Sequence, residues 1–90
     1  MALAADARNG SAINNLSVAY IQSGKTDDAA AALQYGIRVA PDYDILYVNL
    51  ARLYAGTGNR ERAKQVLQSL LERMPEHAVA RKALQQLGEP

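Results

Sequence analysis

The chain has no cysteine, tryptophan or phenylalanine among its 90 residues, and only three prolines. Without cysteine there are no disulfides or thiolate metal sites, a composition that fits any compartment. The five tyrosines are the whole aromatic complement, and valine and isoleucine are scattered singly. A sheet core is therefore poorly supplied, whereas the abundant alanine and leucine favour helix. A single histidine, His77, with no cysteine or second histidine to join it, makes a metal site unexpected. It reads as an exposed residue near the start of a last helix. No apolar run approaches the length that spans a bilayer. The opening stretch "MALAADARNG" lacks the basic flank and long apolar segment of a signal peptide. A soluble protein without a membrane role is expected, the cytoplasm being slightly favoured. Excess charge of one sign is also missing, since the net charge is +1. Residues 1–45 carry three basic and five acidic side chains, and residues 46–90 carry seven and four. That asymmetry lacks the clustered cations of a nucleic-acid footprint, so no nucleic acid is expected as partner. No Ser–His–Asp set or paired carboxylate stands out, so neither catalysis nor a cofactor is expected.

What the chain does contain is a repeat. Shifting it by 34 residues aligns Asn15 with Asn49, Leu16 with Leu50, Tyr20 with Tyr54 and Gly24 with Gly58. The same shift aligns Ala29 with Ala63, Leu33 with Leu67, Gln34 with Gln68 and Pro41 with Pro75. The repeat decides how "AYIQSGKT" is read. Its Gly-Lys-Thr ends like a phosphate-binding loop, but Ala19 stands where the first glycine belongs. The second copy has Gly58-Asn59-Arg60 at that corner, without the Lys-Thr pair. Gly24 is thus expected to end a helix in the left-handed conformation, with Thr26 as N-cap of the next.

Each repeat reads as two helices. Apolar spacing predicts helices over 11–23 and 27–40, with Pro41 as a stop. The second copy gives 44–57 and 60–73, stopped before Pro75. A fifth helix over 76–87 ends at Gly88, with Val79, Ala80, Ala83, Leu84 and Leu87 apolar. Ser17, Ala29, Gly36, Ala51 and Ala63 are small enough for close helix approach, while Leu16, Tyr20, Leu33, Leu50, Tyr54 and Leu67 fill the spaces.

Tyr20, Gly24, Ala29, Leu33, Gly36 and Pro41, and in the second copy Tyr47, Leu50, Tyr54, Gly58, Ala63, Leu67 and Pro75, resemble the tetratricopeptide repeat. Ile13 departs from the family's aromatic, and Leu70 replaces a small residue, which implies wider spacing beside the last helix. The resemblance implies an all-α, right-handed solenoid of about five antiparallel helices. Its repeats would cover residues 10–43 and 44–77, with a C-terminal capping helix and tail over 78–90. Residues 1–9 are then a tail or the remnant of a preceding repeat, with Ala2 at that repeat's small-residue position and Ala7 in place of its proline.

The resemblance further implies a noncatalytic module that holds a partner peptide in a concave groove lined by the first helix of each repeat. Asn15 and Asn49 are its expected contacts with the peptide main chain, since an amide both donates and accepts. Val18 and Val48 would make the groove partly apolar, with Ile21, Ile45 and Val79 beside them, and Arg52 and Lys82 would meet an acidic group or chain end. The carboxylate clamp known in this family is not expected, because Asn14, Val18 and Val79 occupy three of its five places. The rival expectation is a structural unit forming a homo-oligomer through uncovered helix faces, with Tyr35 and Tyr43 filling gaps between repeats or such a contact.

Overall fold

The computed structural model describes residues 9–88, and within them the chain forms five helices and no strand. They are α1 (Gly10–Gln22), α2 (Thr26–Val39), α3 (Asp44–Gly56), α4 (Arg60–Arg73) and α5 (Ala78–Gly88). The all-α expectation holds, and the fourth helix has the bounds that apolar spacing predicts. Ala2 and Ala7 lie outside the described residues. The chain divides after Leu46 into two compact units.

The corner between α1 and α2 recurs one repeat later in atomic detail. Gly24 and Gly58 have φ of +77° and +87°, the left-handed region that glycine enters without steric cost. The Lys25 amide donates to the Tyr20 carbonyl at 2.8 Å, and the Asn59 amide to that of Tyr54 at 2.7 Å. The amides of Gly24 and Gly58 donate to Ile21 and Ala55. These two bonds form the Schellman motif and satisfy carbonyls that the helix end leaves without partners. The glycine turns a corner and holds no phosphate-loop geometry.

Thr26 is a correction to the sequence reading. It is the first helical residue rather than the cap, and Lys25 occupies the cap position without a side-chain bond. The Schellman motif spends only one residue between Gly24 and the new helix, so Thr26 is already inside it. The helix start is favoured instead by Asp27 and Asp28 in the first turn, where carboxylates meet the positive end of the dipole. The capped start is that of α1: Asn9 Oδ1 accepts from the amides of Ser11 at 2.8 Å and Ala12 at 3.3 Å.

In the first unit α1 packs on α2. Ile13, Ser17, Ala29, Leu33, Gly36 and Leu46 are buried. Fully burying an aliphatic side chain such as Leu33 contributes about 1.5–3 kcal/mol. Ser17 Oγ donates to the Asn14 carbonyl at 2.7 Å, so the buried hydroxyl is satisfied within its own helix. A Cβ on Gly36 would lie 2.8 Å from Ile13 Cγ2 and 3.0 Å from Leu46 Cδ1. The glycine is what lets these side chains close over α2. Tyr43 lies against Gly10 in the same unit.

In the second unit Tyr47, Leu50, Ala51, Tyr54, Ala63, Leu67, Leu70 and Ala80 are buried. Leu70 and Ala80 occupy the register positions of Gly36 and Leu46, so the large and small residues have changed places. The volume that Leu70 adds is offset by what Ala80 removes, and both are fully buried. The small residues of the tetratricopeptide-like pattern, Ser17, Ala29, Gly36, Ala51 and Ala63, are all buried, in keeping with it. Leu16 departs from it: expected to fill a gap, it is 49% exposed, whereas its counterpart Leu50 is 2% exposed. Tyr20 is only half-buried.

Candidate functional site

α5 has 11 residues, fewer than the roughly 12–15 at which an isolated helix becomes even marginal in water. Its placement therefore depends on its ends and on α4, with which it packs. At the start, His77 Nδ1 accepts a hydrogen bond from the Ala80 amide at 3.1 Å. This ring nitrogen does what a cap side chain does, satisfying an orphan donor of the first turn. His77 is half-buried rather than exposed, which revises the sequence expectation. At the end, Arg60 Nη2 donates to the Leu87 carbonyl at 2.6 Å, fastening the last turn of α5 to the first residue of α4. A cation at a helix C-terminus also meets the negative end of the dipole.

Held in this way, α5 faces α3 across a cavity of about 320 Å³ within the second unit. α3 supplies Val48, Ala51, Arg52 and Ala55, and α4 supplies Leu67. α5 completes the lining with Val79, Lys82, Ala83, Gln86 and Leu87. The volume is at the lower end of the roughly 300–1,000 Å³ found for ligand pockets. Val48 and Lys82 are one repeat apart in register, as are Arg52 and Gln86, so the two helices present the same face to the cavity. Small alanines open the space and larger aliphatic groups bound it. Val79 is 51% exposed, so the apolar surface is available rather than spent in a core.

Of the residues expected to contact a peptide, Val48, Arg52 and Lys82 come together here. Asn49 is half-buried on α3, does not line the cavity, and is engaged with another group of the protein. Asn15 and Val18 are exposed on α1 in the other unit. Ala51, Ala55, Ala83, Leu67 and Leu87 were not foreseen as lining. The signal for Ala83 was present, since it stands 34 residues after Asn49. The basic rim carries no acidic lining residue. Among the described residues, no group of three or more His, Cys, Asp or Glu could hold a metal ion. No helix among them is long and apolar enough to cross a membrane.

A family model, tetratricopeptide repeat, matches residues 20–87. The chain belongs to the tetratricopeptide repeat family. The match takes in both left-handed corner glycines, the whole of α2 to α4 and nearly all of α5, including every residue that lines the cavity. No curated protein matches the chain. Tetratricopeptide repeats generally serve as noncatalytic protein–protein interaction modules, and membership suggests protein–protein interaction as the role of this chain.

Proposed function

We propose that this tetratricopeptide repeat protein binds a peptide segment of a partner, and that the cavity between α3 and α5 receives its side chains. The observation that carries the reading is an accessible apolar cavity rimmed by Arg52 and Lys82, on the helix faces where the tetratricopeptide resemblance leads one to expect a ligand. Apolar lining supplies affinity by burial, and a few polar groups orient the occupant. Asn15 and Val18, exposed on α1, are proposed as peptide contacts of the first unit taken by itself. In the second unit, Asn49, now engaged with another group of the protein, would meet the peptide main chain by giving up that engagement. No reaction is assigned.

The test is selection of binding peptides from a display library with the full chain, followed by affinity measurement on two variants. Val48→Asp and Ala83→Asp each place a carboxylate in the apolar lining and should weaken the selected peptides about tenfold or more. Asn15→Ala combined with Asn49→Ala should weaken them less. Undiminished binding by both aspartate variants, with helicity intact, would sink the proposal.

A specific observation favours a second reading, self-association through the first repeat. Ala12, Ile13, Leu16 and Tyr20 on α1 and Ala31, Ala32 and Tyr35 on α2 line an open apolar concavity whose only charged member is Asp28. The face that is buried at Leu46, Tyr47, Leu50 and Tyr54 in the second repeat is open at the equivalent Leu16. A second copy of the chain is the proposed cover.

A further inference from the structure

The basic side chains of the second unit divide into two groups. Five are engaged. Arg60 donates to the Leu87 carbonyl, Lys64 pairs with Glu61 at 3.2 Å, and Arg81 with Glu76 at 3.6 Å. The Arg62 guanidinium lies 5.8 Å from the centre of the Tyr54 ring, and Arg73 is engaged as well. Arg52 and Lys82 differ: both are exposed, and neither makes a hydrogen bond, ion pair or ring contact among the described residues. They are also the two cations that line the cavity, one on α3 and the other on α5. Two exposed cations that none of these contacts engages are thus placed at the apolar site, with no acidic residue in its lining.

Opposite charge placed against that rim would be stabilised, and like charge would be repelled at encounter. The apolar floor selects for aliphatic side chains, because Val48, Val79 and the alanines offer neither a ring to stack on nor a buried polar group to match. From these two properties we infer that the occupant is an acidic aliphatic segment, in which a short run of Leu, Ile, Val or Met is flanked by Asp or Glu. The run enters between α3 and α5, and the flanking carboxylates meet Arg52 on one side and Lys82 on the other. Gln86, one repeat beyond Arg52 in register, supplies a neutral amide for the segment's main chain. The inference rests on the proposed peptide-binding role of this cavity and specifies its ligand.

Its test uses the full chain and three synthetic peptide pools. All share central positions mixed from Leu, Ile, Val and Met, and their flanks are Asp/Glu, Asn/Gln or Lys/Arg. Fluorescence anisotropy should show the acidic pool binding about threefold to tenfold more tightly than the amide pool, as expected for two exposed ion pairs. The Lys/Arg pool should bind most weakly, and the differences should shrink in high salt. In the Arg52→Glu, Lys82→Glu double variant, checked for unchanged helicity by circular dichroism, the order of the acidic and basic pools should reverse. Equal binding of the acidic and amide pools, or an order that survives the charge reversal, would overturn the inference and leave the apolar site standing. Binding of none of the pools would overturn the peptide-binding reading and this inference with it.

Discussion

Gly24 and Gly36 are both glycines for a physical reason, and the reasons differ. At Gly24 nothing lies within 4 Å of an added Cβ, but φ is +77°. Alanine there should destabilise by about 1 kcal/mol, from backbone conformation alone. Asparagine, which tolerates that region, should cost less. At Gly36 the helix would gain about 1 kcal/mol of propensity from alanine. The new Cβ, however, meets Ile13 Cγ2 at 2.8 Å, on a β-branched side chain that turns poorly. Overpacking of about 1–3 kcal/mol should therefore win, making Gly36→Ala net destabilising by about 1 kcal/mol. Pairing it with Leu46→Ala should recover less than full stability, because Ile13 remains in the way. Urea unfolding midpoints check both cases; a neutral Gly36→Ala would mean that the Ile13 methyl can move aside. The sequence reveals Gly24 because the repeat places a glycine at the same helix end twice. It misleads at Thr26, because side-chain preference suggests a cap where the backbone motif has already taken that place.

At the scale of the helix, α5 is the element on which the proposed site depends and the one whose ends the sequence obscures most. Spacing suggests a start at Glu76, but Pro75 and Glu76 form a turn and the helix opens at Ala78. The His77 amide donates to the Met74 carbonyl there, as Tyr43 does to Ala40 one repeat earlier. The 34-residue register, extended once more from Asp44, gives the observed start, whereas apolar spacing alone does not record a turn. Tyr43 and His77 share that register position but serve it differently. Tyr43 lies against Gly10, and His77 caps α5 through Nδ1. The sequence places His77 near the cap of the last helix, but not its ring nitrogen as the acceptor, because histidine rarely signals that role. His77→Ala should cost about 1 kcal/mol, concentrated in α5, and His77→Asn should retain most of it. Amide hydrogen exchange checks this by locating the loss of protection. Loss spread evenly over all helices, or none in α5, would show that the ring nitrogen is not what holds the helix start.

For the molecule as a whole, the repeat made fold class and family membership legible, because 34-residue recurrence fixes both the helix faces and their corners. It did not reveal what covers each face. The pattern that buries Leu50 also predicts a buried Leu16, yet Leu16 is 49% exposed. Periodicity records where an apolar face lies, and burial requires a neighbour as well. This separates the two proposed surfaces, one within each unit, and allows them to be tested independently. If a second copy covers the α1 and α2 face, mass measured by light scattering should rise towards a dimer with protein concentration. The melting temperature should rise with it, since association stabilises by mass action. Leu16→Lys puts a charge into that face at an already half-exposed position, so folding should survive while the dimer weakens about tenfold or more. Peptide affinity at Val48, Arg52 and Lys82 should be unchanged in the same variant. A mass that stays monomeric across the series removes the self-association reading and leaves the cavity between α3 and α5 as the surface to pursue. A dimer unaffected by Leu16→Lys would mean that copies meet through a different face.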